Sequence, residues 1–251
     1  MKQIEMLEML YALDAELMGP LTIVITGASA LIIRGNVSRT SNDIDILKAS
    51  EDLDHGYIKE CIEKIAAQKK LSRDWIDTRP VKETFKDLPG YIPDLEELIP
   101  DRKFKNLQPF IISKADSVIT KLARFQNIRS WDIGDIRETA FSDKDYIRIK
   151  EKLSELKRTD PERALRIEIA FKGIKKDFIR TEDGFSFSSS NEVAEYGKKR
   201  YGIILEKEYL MQIDRDAADM TSSYEKAIID IDKMALDRII KERNHEHGME
   251  I

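Results

Sequence analysis

The chain has 251 residues, 41% of them hydrophobic, which is enough for one large domain or two modest ones with a real core. Lys and Arg number 42 against 47 Asp and Glu; the net charge of −5 excludes overall attraction to nucleic acid or an anionic membrane and confines any RNA contact to a local patch. One cysteine, Cys61, excludes an intrachain disulfide and a Cys-rich metal site, and no run approaches the roughly 18 apolar residues of a membrane span, so the expectation is a cytoplasmic, unprocessed protein without a membrane partner.

Residues 3–17 place Ile4, Leu7, Leu10, Tyr11 and Leu17 on one face at helical spacing, and Gly19-Pro20 stops the helix. "LTIVIT" (21–26) predicts a buried strand by its β-branched content. A short helix over Ser29–Arg34 follows, then a second strand in the alternating "NDIDIL" (42–47). Ile58, Cys61, Ile62 and Ile65 form the apolar stripe of a helix over about 57–70, which makes Cys61 a core thiol. A Pro- and Gly-rich stretch with "DTRP", "LPGYIP" and "IPD" leads to a late strand, "LQPFII" (107–112).

Beyond residue 112 the pattern becomes helical. Ser113 with Asp116 makes a capping box opening a helix to about 128. Similar boxes recur at Ser142/Asp145, at Thr159/Glu162 with Pro161 in the first helical position, at Ser189/Glu192 and at Ser222/Glu225. Tyr224, Ala227, Ile228, Ile231, Ala235, Ile239 and Ile240 give the clearest stripe, and "TEDGFSFSSS" reads as a loop. The predicted fold class is an α/β (α+β) domain over 1–140, with a mixed sheet flanked by helices, followed by an all-α helical bundle over 141–251.

The chemistry gathers in "TGASALIIRGNVSRTSNDIDIL" (26–47). A strand that ends in Gly27 and turns into a helix leaves backbone N–H groups unpaired, and Gly27 with Ala28 lets a phosphate approach them; Ser29 adds a hydroxyl. On the next strand Asp43 and Asp45 share a face, because side chains alternate with period two, and stand about 7 Å apart. Such a pair can hold Mg²⁺ against a triphosphate, or it can be the solvated face of an edge strand.

"GASAL" followed by "RTSNDIDIL" resembles the signature of the nucleotidyltransferase fold, whose members carry Gly-Gly or Gly-Ser ahead of a D-x-D. The Arg39-Thr40 ahead of the acids, with "SKADSVITKLARFQNIRSWDIGDI" downstream, is most similar to the AbiEii-type toxin group. The likeness covers 21–47 and 110–136, and "RDWID" (73–77) loosely. It implies a nucleotidyltransferase-like first domain in which Asp43 and Asp45 are metal ligands and catalytic, joined by Lys121 and Asp132 as catalytic residues and by Asp135 as a later acid. Gly27, Ala28, Ser29, Arg39 and Thr40 would surround the nucleotide, with Mg²⁺ or Mn²⁺ as cofactor and an NTP as substrate. Ala28 departs from the Gly pair, and the third carboxylate of the wider fold has only Asp74 and Asp77 as candidates, which read equally as a surface turn beside Trp75.

Each remaining residue keeps more than one reading. Lys121 is a point charge on the triphosphate or a solvated lysine; Asp132 orients Lys121 or caps a helix starting near Ile133; Arg39 holds phosphate, braces Asp45 or forms a structural ion pair. His245 and His247 are metal ligands or a polar tail. In "KGIKKDFIR" (172–180), Lys172, Lys175, Lys176 and Arg180 touch an RNA backbone or line a solvated face, with Ile167, Phe171, Ile174 and Phe178 inward. The reaction expected from the resemblance moves a nucleotidyl group from an NTP to a hydroxyl, on an RNA or tRNA acceptor, in a toxin with a cognate antitoxin partner. The alternatives are a catalytically silent nucleotide- or partner-binding module, and transfer to a small molecule.

Overall fold

The computed structural model describes residues 1–53, 56–77, 88–98, 102–124, 128–179, 187–219 and 223–246. Internal packing divides the chain into two compact units, Met1–Phe141 and Ser142–Ile251.

In the first unit, α1 (Gln3–Glu16) buries Met6, Met9, Leu10 and Leu13, a stripe rotated from the expected one, and Ile4 is left 70% exposed. Both stripes are apolar and share Leu10, so periodicity does not choose between them. Asp14 does: its carboxylate accepts the backbone N–H groups of Lys105, Asn106 and Leu107 at 2.6–3.0 Å, which fixes the helix rotation over the start of the last strand.

The sheet has five strands, β1 (Leu21–Ile25), β2 (Ile44–Ala49), β3 (Ile76–Asp77), β4 (Leu95–Glu97) and β5 (Leu107–Ile112), in the order β3-β2-β1-β5-β4. Central β1 runs antiparallel to β2 and parallel to β5, while β2 pairs parallel with β3 and β5 antiparallel with β4, so the sheet is mixed. Strand β2 is flanked on both sides and is not an edge strand, in contrast to the edge-strand reading of the acid pair. The β1–β2 register shifts between Val24 and Ile25, just before the turn into α2 (Gly27–Ile33), whose residues from Ala28 onward are all buried. Helix α3 (Gly56–Lys69) buries Ile58, Cys61, Ile62 and Ile65 as its spacing predicts. Strands β3 and β4 have two and three residues, too few for hydrophobic alternation to announce them.

Helix α4 (Lys114–Leu122) opens on Ser113, whose Oγ accepts the Asp116 N–H at 3.1 Å, but stops well short of 128. No Gly or Pro marks that stop. The next helix, α5 (Ser130–Glu138), begins earlier than Ile133, so Asp132 lies inside its first turn and is not its cap.

The second unit is helical: α6 (Asp143–Thr159), α7 (Pro161–Ile174), α8 (Lys176–Ile179), α9 (Ser190–Tyr201), α10 (Lys207–Asp219) and α11 (Ser223–Glu246). Ser142 and Asp145 form the expected capping box, and Ser189 Oγ accepts the Glu192 N–H. At α7 the cap is Asp160, not Thr159, since its carboxylate accepts the Arg163 N–H at 3.0 Å, with Pro161 in the first position as expected. The proposed Ser222 cap, Arg180 and His247 lie outside the described residues. Ala227, Ile228, Ile231 and Ala235 of α11 pack with Leu165, Ile179 and Val193 in the core.

One expectation fails here. Lys172 is not on an exposed basic face: it is 0% exposed, with Nζ 2.8 Å from Asp232 Oδ2 and Tyr196 Oη and 2.9 Å from Glu168 Oε1. Glu168 is visible one turn away, but Asp232 is brought in by α11 from sixty residues downstream, beyond the reach of local spacing. No helix among the described residues is long and apolar enough to cross a membrane.

Candidate active site

The site starts at the end of β1. Gly27 has φ +63°, a conformation that a side chain disfavours, and a Cβ there would fall 2.3 Å from Asp45 Oδ2. The turn thus excludes a side chain twice over, by backbone and by the carboxylate that faces it. Thr26 N–H donates to Asp45 O at 2.9 Å, which ties the turn to β2.

Ser29 completes that tie. Where the sequence reading offers its hydroxyl to a phosphate, the structure has Oγ donating to Asp43 O at 3.1 Å and accepting the Asp45 N–H at 3.2 Å, with the side chain fully buried. The hydroxyl is a strut between α2 and the acid pair.

Asp43 stands at the entry to β2, accepting Ser41 Oγ at 3.0 Å, and Asp45 follows inside the strand, both half-buried. In register beside Asp45 on β3 is Asp77. The two candidates for a third carboxylate separate here: Asp74 is exposed in the turn before Trp75, whereas Asp77 lies on the strand that neighbours the pair. Burial pushes the Asp45 carboxyl up to about 6, and Asp43 and Asp77 push the same way against the charges of Lys121 and Arg124. Among the described residues no group of three His, Cys, Asp or Glu side chains converges as a ready-made metal site. The oxygen donors of Asp43 and Asp45, with Asp77 adjacent, are nonetheless the kind that Mg²⁺ and Mn²⁺ take.

The third part comes from α4 and α5. Lys121 is 6% exposed, and its Nζ donates to Asp132 Oδ1 at 2.7 Å and Asp135 Oδ2 at 2.8 Å. Asp135 also takes a two-pronged pair from Arg39, Nε to Oδ1 at 2.5 Å and Nη2 to Oδ2 at 2.8 Å, while Arg39 Nη1 reaches the carbonyl of exposed Thr40 at 3.2 Å. Burial pushes the Asp135 carboxyl up, but Arg39 and Lys121 outweigh it and hold it below the ordinary carboxylate range. Of the three readings of Arg39, the ion pair is the one seen. The solvated reading of Lys121 is excluded by its burial. Asp132 Oδ2 is buried with no hydrogen-bond partner among the described residues.

One functional candidate escaped the sequence reading. Arg124, whose charge acts on Asp45, follows Lys121 by three residues, a helical spacing that could have flagged it. Asp135 was expected as a later acid by the resemblance, but its place between Lys121 and Arg39 had no local signal.

A glycine turn after the first strand of a mixed sheet thus faces an acid pair at the start of the adjoining strand. The family model described as "Nucleotidyltransferase of unknown function (DUF6036)" matches residues 5–179, more than half of the chain, and the chain belongs to that family. No curated protein and no solved structure matches it.

Proposed function

We propose that the protein transfers a nucleotidyl group from an NTP to a hydroxyl of its acceptor, at a site made of Gly27, Asp43, Asp45, Asp77, Lys121 and Asp132. The observation that carries this reading is the contact of Gly27 with Asp45: a position kept bare against a carboxylate that is itself crowded by two others. Such burial and crowding, only partly offset by the charges of Lys121 and Arg124, is unfavourable in the fold alone and favourable when a cation is shared.

The acceptor oxygen forms the new bond to the α-phosphorus, the bond to the β-phosphate oxygen breaks, pyrophosphate leaves with the electron pair, and the hydroxyl proton passes to solvent. Asp43 and Asp45, with Asp77 beside them, would hold Mg²⁺ or Mn²⁺, which supplies charge neutralisation to the triphosphate and polarisation of the reacting oxygens. Backbone N–H groups at Gly27 and Ala28 take phosphate oxygens, with Ser29 fixing the spacing of that turn from the acids. Lys121 supplies positive charge toward the departing pyrophosphate, with Asp132 and Asp135 setting its position and Arg39 balancing Asp135.

The similarity of the Arg39-Thr40, Lys121 and Asp132 region to AbiEii-type toxins supports an RNA acceptor, such as tRNA, and a setting with a cognate antitoxin. A second reading, nucleotide binding without transfer, is favoured by Lys121 being engaged by two carboxylates. Incubation with each labelled NTP, Mg²⁺ or Mn²⁺, and total RNA separates them. Pyrophosphate release with label in RNA is expected, and is expected to vanish in Asp43→Asn. Binding of NTP with no release from any acceptor fraction, small molecules included, leaves the silent reading standing.

A further inference from the structure

We propose that Trp131 and Arg129, at the outer face of α5, form a stacking platform for a nucleobase, carried either by the incoming NTP or by the acceptor strand. The proposal rests on the nucleotidyltransferase reading and adds a contact outside the acid and phosphate machinery.

The chain has two tryptophans with opposite surroundings. Trp75 is 0% exposed and donates Nε1–H to Ile62 O at 3.1 Å, an anchor of the core. Trp131 is 51% exposed. Its one described ring partner is Arg129, whose Cζ lies 5.4 Å from the indole centroid. A large aromatic surface left in water contributes nothing to folding, and aromatic rings paired with a guanidinium are what unpaired bases stack on.

Gly134 is the second observation. It lies one turn after Trp131 on the same face of α5, and a Cβ there would meet nothing within 4 Å. Its φ is outside the left-handed region. Neither packing nor backbone shape asks for glycine, although glycine inside a helix is about 1 kcal/mol worse than alanine. The bare position leaves the indole open on that side.

The same helix is fixed to the site. Asp132, adjacent to Trp131 in the chain, and Asp135 bind Lys121; Asp135 also binds Arg39, and Glu138 accepts the Ser38 N–H at 2.6 Å. Arg39 and Ser38 belong to the loop that leads into Asp43. The platform therefore stands on the element that positions the catalytic lysine. Stacking through a π-face also suits a chain of net charge −5, since it needs few phosphate contacts.

The test uses tryptophan fluorescence of the full chain, titrated with NTP and Mg²⁺ in one arm and with a single-stranded oligoribonucleotide in the other. A saturable change is expected in at least one arm and is expected to disappear in Trp131→Phe, where only buried Trp75 reports; the arm that responds identifies which base stacks. By anisotropy of a labelled form of the responding ligand, Trp131→Ala should weaken binding by roughly 5- to 100-fold, as loss of one stacked base does, while Trp131→Phe retains most of it. Gly134→Ala should raise the Tm and weaken the same binding. No saturable change in either arm, an equal change in Trp131→Phe, or wild-type affinity in Trp131→Ala overturns the platform. Pyrophosphate release measured on the same samples keeps the two readings apart. Release with no fluorescence change removes the platform alone, and a Trp131-dependent change without release removes transfer alone.

Discussion

Each unit buries a lysine against two carboxylates, and the two clusters differ in what they leave undone. In the helical unit all three Nζ donors of Lys172 find acceptors, in Glu168, Asp232 and Tyr196, and the oxygens of Asp232 are taken by Lys172, Tyr196 and Tyr201 at 2.7–2.8 Å. Arg200 adds a bond to Glu168 at 2.6 Å. In the sheet unit Lys121 binds Asp132 and Asp135, yet Asp132 Oδ2 is buried without a partner among the described residues, and Asp45, within the field of Lys121, carries a raised pKa. A closed network holds a core in one arrangement; an open one holds groups ready for something else. The family match runs from residue 5 to 179 and so includes Glu168 and Lys172, but stops before Tyr196, Tyr201 and Asp232.

The largest expected effects test that contrast. Lys172→Ala should cost about 3–5 kcal/mol in urea denaturation, because two buried carboxylates lose their shared cation. At temperatures where the variant stays folded, its NTP affinity should match wild type. Lys121→Ala should cost about the same, roughly 3–5 kcal/mol, since in each cluster one carboxylate keeps an arginine, Asp135 with Arg39 and Glu168 with Arg200, and the other loses its cation. It should also weaken NTP binding more than NMP binding. Equal losses for NTP and NMP would make Lys121 a second Lys172, structural and no more.

Asp45→Asn sharpens the comparison with the opposite sign. A carboxyl raised from 3.8 to about 6 binds its proton more tightly in the folded state, so its penalty on stability is absent below about pH 4, grows between about 4 and 6 and is complete above. Asparagine carries no such penalty. The metal-free variant should therefore be more stable than wild type by roughly 2–3 kcal/mol at pH 7, and equal to it below pH 4, as urea titrations at the two pH values would record. Mg²⁺ should raise the Tm of wild type and not of the variant, and transfer should be lost.

Legibility in the sequence followed the range of each interaction. Gly27, the Asp43–Asp45 alternation and the Ser113 cap are local signals, each complete within a few residues, and they led to the turn, the strand and the helix start. Asp77 sat in a two-residue strand with no period to read, so its register beside Asp45 needed the sheet. Lys172 was misread because its counter-ion Asp232 and the Tyr196 hydroxyl arrive from other helices, and a basic run looks alike whether solvated or buried. Arg39 shows the same limit. Its nearness to the acid pair in sequence suggested phosphate, while its partner Asp135 is ninety-six residues away.

The smallest effect probes the strut. Ser29 Oγ bridges Asp43 O and the Asp45 N–H, and both of those groups are on the chain segment that carries the acids. Ser29→Ala removes one donor and one acceptor from a fully buried position, so a loss of about 1 kcal/mol is expected, the ordinary worth of a buried hydrogen bond, without a change in overall fold. The kinetic signature distinguishes the strut from a phosphate ligand. A strut sets where the acids stand, so its loss should lower kcat and weaken the Mg²⁺ dependence while NTP and NDP affinities fall together by little. A hydroxyl donated to a phosphate would instead show as a rise in KM for NTP with kcat and Mg²⁺ dependence preserved. That second pattern would return Ser29 to the nucleotide and leave the spacing of Gly27 from Asp45 to the backbone bond from Thr26 alone.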